Sequence, residues 1–208
     1  MTSKVGQLER VTQDRVVELF QDKLDYHYLG NWEDREGNSN IEEEILTAYL
    51  KKKYSDILIG KALYEFNKVA NDQSKSLYDV NKAVYSMLRY GVNVHPDIGQ
   101  IKKTIQLIDW ENPLNNDFAI AEEVTIKGVH KKRPDIVIYV NGIALGVIEL
   151  KRSTVSISEG IRQNLDNQKH IFIKPFFSTL QYVMAGSDNE GIAYGAIETK
   201  ENYYLRWK

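Results

Sequence analysis

Two acidic residues and one lysine lie at the ends of two neighbouring apolar segments. The stretch 133–151 reads RPDIVIYVNGIALGVIELK, with Asp135 opening the first apolar segment and Glu149 and Lys151 closing the second. An Asn-Gly pair between two such segments is typical of a tight hairpin turn, so we predict two antiparallel strands. The three charged residues then lie together at the open end of the hairpin.

The turn decides whether the two carboxylates meet. A two-residue loop at Asn141-Gly142 would put Asp135 opposite Ile148, whereas a bulged three-residue loop would put Asp135 opposite Glu149. We predict the bulged loop. One face would then carry Asp135, Val137, Tyr139, Leu145, Val147, Glu149 and Lys151, and the other Ile136, Ile138, Val140, Ala144, Ile148 and Leu150. Because both faces are mainly apolar, we expect the sheet to be covered on both sides.

Paired carboxylates next to a lysine suit the hydrolysis of a phosphodiester. Two close carboxylates repel each other unless a cation lies between them, and Mg²⁺ prefers oxygen ligands that include one or two carboxylates. The ammonium of Lys151 would stabilise the negative charge of the transition state. The alternative for the same spacing is a surface salt bridge at the end of a hairpin.

The composition excludes several classes of protein. The chain has 208 residues, 42% of them hydrophobic, which favours one compact domain over residues 1–208. It has no cysteine and only four scattered histidines, which excludes thiolate sites and argues against a histidine-based metal site. The formal charge of −2 requires any DNA contact to be local or shared with a partner. No apolar run has membrane-spanning length, so we expect a soluble, cytoplasmic protein.

The order of predicted elements indicates an α/β (α+β) fold with a mixed central sheet flanked by helices. A helix-rich half, residues 1–91, precedes a sheet-containing core, residues 92–208. Helices are predicted at 7–24 (buried face Leu8, Val11, Val16, Leu19, Phe20 and Leu24), 41–54 (N-cap Ser39 or Asn40), 55–72, 77–91 (closed by Gly91) and 156–170 (opened by Ser156 and Glu159). Besides the hairpin, strands are predicted at 99–110, 117–128, 177–186, 191–198 and 202–208.

At the hairpin the sequence resembles the PD-(D/E)XK nuclease motif, as it occurs in the restriction (R) subunits of type I restriction-modification enzymes. The resemblance extends to LERVTQDRVVELFQDKLDYHYLGNW, NIEEEILTAYLKKKY, DFAIAEEVTIKG and SISEGIRQNLDNQ, and so covers nearly the whole chain. It implies the amino-terminal nuclease domain of that subunit, with a restriction-endonuclease-like fold.

The resemblance also implies residue roles. Asp135 and Glu149 match the metal-binding acids, Lys151 the catalytic lysine, and Glu42 an acid that the fold places beside the site. For Glu42 the alternative is an ordinary helix-start acid. Gln163 matches the first residue of a Gln-x-x-x-Tyr motif, with a role towards the DNA backbone or the lysine, but Asn167 replaces the tyrosine. The alternative for Gln163 and Asn167 is a polar surface pair.

The expected function is a Mg²⁺-dependent endonuclease domain that cleaves double-stranded DNA together with the modification and specificity subunits. The ATP-driven motor of such enzymes is absent from this chain, since no Gly-x-x-x-x-Gly-Lys-Ser/Thr motif occurs. Two alternatives stay open: a stand-alone nuclease of the same superfamily in DNA repair or defence, and a non-catalytic docking module.

Overall fold

A computed structural model describes residues 4–97 and 99–207, together with the side chains of residues 9–97 and 99–207. Five helices lie at Lys4–Asp22 (α1), Glu43–Leu50 (α2), Asp56–Ala70 (α3), Leu77–Tyr90 (α4) and Ile157–Asn167 (α5). The strands are His27–Asn31 (β1), Val92–Val94 (β2), Lys103–Ile105 (β3), Phe118–Glu122 (β4), Ile136–Val140 (β5), Ile143–Lys151 (β6), Tyr182–Ser187 (β7), Gly191–Gly195 (β8) and Leu205–Arg206 (β9).

Seven of these strands form one mixed sheet, in the order β1-β4-β5-β6-β7-β8-β9. The pairs β1–β4 and β6–β7 are parallel, and the other neighbours in this sheet are antiparallel. β2 and β3 form a separate two-stranded sheet. The predicted fold class, a mixed sheet flanked by helices, is therefore confirmed.

Helices cover both faces of the sheet at its centre. α1 packs through Val17 on a face that includes Ile136 and Ile148. α5 packs through Ile157 and Ile161 on the opposite face. A third cluster joins α2, α3 and α4 to the β2–β3 sheet and to Ile143, near the turn of the hairpin. The open end of the hairpin thus lies between α1 and α5. Within the described part of the chain, no helix is long and apolar enough to cross a membrane.

The hairpin turn differs from the prediction. Asn141 and Gly142 form a two-residue turn with φ values of 53° and 84°, and Val140 pairs with Ile143. The predicted three-residue loop is therefore wrong. The register instead shifts further along, because Leu145 is an extra residue between the pairs Tyr139–Ala144 and Ile138–Gly146. Beyond this bulge Ile136 pairs with Ile148, so the predicted register holds at the charged end.

The bulge also corrects the two faces. Ala144 packs with Val137, Tyr139 and Val147, the face opposite to its predicted one. Leu145 does not join that face; it packs against the helical cluster near the turn. The backbone N–H of Gln181 donates to the carbonyl oxygen of Leu145 at 2.8 Å, so a residue distant in sequence holds the bulge.

Other local predictions were wrong in instructive ways. β1 was not predicted, and the segment 99–110 contributes only the short β3 to the small sheet. α2 begins after Glu42, which takes the N-cap position predicted for Ser39 or Asn40. α1 buries Thr12, Gln13 and Val17, whereas the predicted face residues Val11, Leu19 and Leu24 are half exposed. The side chain of Leu8 and residue Lys208 lie outside the described residues.

Candidate active site

Asp135 lies immediately before β5, where its side chain reaches across to the neighbouring strand. Its Oδ2 accepts a hydrogen bond from the backbone N–H of Leu150 at 2.7 Å. Its own carbonyl oxygen accepts from the N–H of Glu123 at 2.8 Å. The carboxylate is therefore fixed between β4 and β6, beside Glu149.

Glu149 is almost completely buried in β6, with 1% of its surface exposed. Its Oε1 accepts a hydrogen bond from Nε2 of Gln163 and lies 3.5 Å from Nζ of Lys151. Its Oε2 has no hydrogen-bond partner among the described residues. An unsatisfied buried carboxylate oxygen is costly, and it leaves Oε2 available to a ligand such as a cation.

Burial controls the charge of both acids. It raises the pKa of Asp135 to about 7, against the opposing effects of the Leu150 N–H and the Lys151 ammonium. Burial also raises the pKa of Glu149 well above its ordinary value, and the negative charge of Asp135 adds to this increase. Without a cation, the pair therefore holds protons at a pH where ordinary carboxylates are ionised.

The two acids fit a divalent cation with oxygen ligands. A cation would bind the unpartnered Oε2 of Glu149 together with Asp135. Its positive charge would oppose the effect of burial on both pKa values and the repulsion by Asp135 that adds to the pKa of Glu149. Among the described residues no cluster of three or more acids and histidines forms a complete metal cage. Mg²⁺ typically takes one or two protein carboxylates and completes its shell with water and phosphate oxygens, so two acids are enough for it.

Glu42 does not lie beside this site, so its predicted placement is wrong. Its backbone N–H donates to the carbonyl of Gly142, at the turn of the hairpin and thus at the end opposite Asp135. Its carboxylate binds the guanidinium of Arg35, at 2.6 and 3.1 Å, and the N–H of Ser39 at 2.9 Å. Glu42 thus occupies the N-cap position of α2, and its carboxylate ties down the preceding loop without bonding to the N–H groups of the helix.

The charges of two further acids act on the site, Glu123 directly after β4 and Glu9 in α1. The charge of Glu123 adds to the raised pKa of Asp135, and that of Glu9 adds to a smaller extent to the raised pKa of both Asp135 and Glu149. Sequence reasoning missed Glu9, although a signal existed. Glu9 and Gln13 precede Val17 at intervals of four, so polar residues occupy the stripe by which α1 packs on the sheet.

Gln163 contacts Glu149, whereas the predicted contact of its side chain was the lysine or the DNA backbone. α5 comes this close to the sheet because Gly160 has no side chain: a Cβ atom there would lie 3.1 Å from Cβ of Ala185 in β7 and 3.4 Å from Cγ of Lys151 in β6. Asn167 is only 1% exposed, so the alternative of a polar surface pair is wrong for it. Ser156 is the N-cap of α5, as predicted, and the carboxylate of Glu190 binds the next N–H, that of Ile157.

Comparisons with known proteins agree with this architecture. The family model of the type I restriction enzyme R protein N terminus matches residues 6–202. The putative type I restriction enzyme MjaIXP endonuclease subunit of Methanocaldococcus jannaschii is 25% identical over 155 residues, which are 71% of this chain and 15% of the relative. The type I restriction enzyme SsaAORF53P endonuclease subunit of Staphylococcus saprophyticus is 24% identical over 149 residues, 71% of this chain and 14% of the relative.

A relative from Escherichia coli, the type I restriction enzyme EcoprrI endonuclease subunit, is 36% identical over 83 residues. That match covers 40% of this chain and 25% of the relative. The chain thus spans a quarter or less of the length of these three relatives. Because the family model matches residues 6–202, nearly the whole chain, this chain belongs to the family of the type I restriction enzyme R protein N terminus.

Proposed function

We propose that this chain is the metal-dependent nuclease domain of a type I restriction enzyme R subunit and cleaves double-stranded DNA. The observation that carries the proposal is the convergence of Asp135, Glu149 and Lys151 at one end of a buried hairpin. Family membership supports it, because the relatives are named as endonuclease subunits.

The reaction adds water across one P–O ester bond of the DNA backbone, giving a phosphate end and a hydroxyl end. A bound Mg²⁺ would supply Lewis-acid polarisation of the phosphate and would lower the pKa of a water molecule. Asp135 and Glu149 would hold this ion. The ammonium of Lys151, with 13% of its side chain exposed, stabilises the negative charge that develops on the phosphate oxygens.

The remaining residues position these groups. The Leu150 N–H fixes one oxygen of Asp135, and Gln163 fixes Oε1 of Glu149, which leaves Oε2 as the oxygen for the metal. Neighbours that orient a ligand in this way commonly change metal affinity by about 10–100-fold when they are removed.

In the assembled enzyme we propose that the modification and specificity subunits select the DNA and that an ATP-dependent motor region, outside this chain, delivers it. The test is plasmid cleavage by the complete complex carrying Glu149→Ala or Lys151→Ala, with Lys68→Ala as a surface control. We expect the two site variants to lose cleavage by at least about 10²-fold and the control to cut normally. Undiminished cutting by either site variant would refute the proposal.

A further inference from the structure

A basic cleft lies on the sheet face opposite to α1. It has a volume of about 320 Å³ and lies between the turn after α3, the start of α4, the loop after β4 and the segment before β7. Its charged lining residues are Lys75, Lys127, Lys174 and Asp72, and His170, Asn71 and Ser178 add polar groups. Three lysines against one aspartate give the lining a net charge of +2 with His170 neutral.

The single acid in the cleft is already engaged. Asp72 accepts hydrogen bonds from the N–H and hydroxyl of Ser74 and pairs with Lys75 at 3.0 Å. Lys127 forms only an exposed pair with Glu36, at 3.3 Å, which contributes little. In the part of the chain that the structure describes, neither Lys174 nor His170 pairs with a carboxylate. Lys127 and Lys174 therefore remain available to an external anion.

The loop that carries Lys127 is held firmly in place. Ile126 and Lys132 pair through two backbone hydrogen bonds, which makes residues 126–132 a small hairpin. This basic hairpin rests on the turn after α5: the N–H of His130 donates to the carbonyl of Ile171 at 3.0 Å, and Nζ of Lys132 lies 4.0 Å from the ring centre of Phe172. The lysines of this hairpin are therefore held in place by contacts with the rest of the fold.

The basic hairpin leads directly into the active site. Lys131 precedes Asp135 by four positions, so the Cα atoms of the two lie at most about 14 Å apart. Because Ile126 pairs with Lys132, Lys127 lies at nearly the same distance along the hairpin.

The other side of the cleft is further away: Thr179, next to the lining residue Ser178, donates to the carbonyl of Ala144, which precedes Glu149 by five residues in β6, or about 17 Å along the strand. A duplex carries one phosphate charge per about 1.7 Å of its axis, so a duplex that runs from Asp135 along this face carries about ten phosphate charges over that distance.

We propose that the cleft binds backbone phosphates of the DNA duplex that occupies the active site. The chain has a net charge of −2 and its active site is acidic, so the attraction to DNA must come from a local basic surface of this kind. The proposal deepens the proposed function and rests on it. It assigns to Lys127 and Lys174 contacts that hold the DNA without reading its sequence.

The test is the affinity for a short fluorescent duplex, measured by anisotropy over a range of salt concentrations in EDTA. The cleft variant is Lys127→Gln/Lys174→Gln, and the control Lys68→Gln/Lys102→Gln removes the same charge from exposed positions elsewhere. We expect the cleft variant to weaken binding by about tenfold per lysine near 0.1 M salt, and to reduce the salt slope by about two. Equal affinities and slopes for the two variants would overturn the proposal.

A second variant separates charge from folding. Lys127→Arg/Lys174→Arg keeps both cations, so it should bind DNA like the wild type. If it binds as weakly as the glutamine variant, positive charge is not the cause and the proposal fails. Inorganic triphosphate at constant ionic strength tests the other source of phosphate. If the wild type binds triphosphate tightly and the glutamine variant does not, while the two bind DNA equally well, the cleft is a site for a free polyphosphate and the proposal fails.

The outcome is independent of the nuclease test. Anisotropy without metal reports the cleft alone, whereas plasmid cleavage by the Glu149→Ala complex reports the chemistry. If the cleft variant binds DNA as tightly as the control while cleavage still requires Glu149, only the cleft proposal is refuted. If the cleft variant binds DNA more weakly but cleavage does not require Glu149, only the nuclease proposal is refuted.

Discussion

The backbone N–H of Leu150 donates to Oδ2 of Asp135 across 2.7 Å. This contact depends on the bulge at Leu145, because without the extra residue Asp135 would face Ile148. A backbone group on one strand thus fixes an acid on the next, and the two buried carboxylates are held together against their mutual repulsion. The energetic cost of that arrangement gives the first prediction.

The metal-free chain should lose stability as the pH rises from about 4 to about 7. The pKa of Asp135 is raised to about 7 by burial, so the folded state holds its proton more tightly than the unfolded state does. Below the ordinary pKa of an aspartate both states are protonated and no cost arises. Between that pKa and about pH 7 the unfolded state loses its proton while the folded state keeps it, so stability falls over this range, by about 2–4 kcal/mol in total. Thermal unfolding in EDTA at pH 4 and pH 8 measures this difference.

Asp135→Asn is the matched variant, since it removes the charge and keeps the shape. It should unfold at a higher temperature than the wild type at pH 8, and at nearly the same temperature at pH 4. An equal loss of stability with pH in both proteins would contradict the assignment to Asp135.

Metal binding should also depend on pH, because the ligands must lose their protons first. We expect Mn²⁺ affinity to rise between pH 6 and pH 8, with protons released on binding. Calorimetry in two buffers of different ionisation enthalpy measures the proton release directly. Binding without proton release at pH 6.5 would show that the carboxylates are already ionised.

Glu9 and Glu42 should behave differently. Glu9→Gln removes a negative charge near Asp135 and Glu149, so it should weaken Mn²⁺ binding severalfold with little change in stability. Glu42→Gln breaks the contacts to Arg35 and to the Ser39 N–H, so it should cost about 1–3 kcal/mol of stability and leave Mn²⁺ affinity unchanged. Weaker Mn²⁺ binding by Glu42→Gln, with unchanged binding by Glu9→Gln, would show that Glu42 and not Glu9 acts on the site.

Gln163 should act by positioning Glu149. Gln163→Ala removes the donor to Oε1, so we expect metal affinity to fall by about 10–100-fold. Glu159→Gln, on the exposed side of the same helix, is the control. Calorimetry with Mn²⁺ compares the two variants. Wild-type affinity in Gln163→Ala would leave the glutamine with a role towards DNA only.

The sequence predicted the core of the site because Asp135, Glu149 and Lys151 belong to one hairpin and a local motif. It failed for Glu9, since only the packing of α1 on the sheet brings that acid to the site. The prediction put the bulge in the turn and not at Leu145, because the group that bonds to Leu145, the N–H of Gln181, lies 36 residues further along the chain. β1 was missed for a similar reason, since it pairs with β4 about 90 residues away.

The central claim is that Asp135 and Glu149 together hold a divalent cation. Anomalous diffraction from a crystal of the chain soaked in Mn²⁺ tests it most directly. We predict one peak within bonding distance of a carboxylate oxygen of Asp135 and of Oε2 of Glu149. Mn²⁺ bound elsewhere at saturating concentration, with no peak between these two acids, would contradict the account.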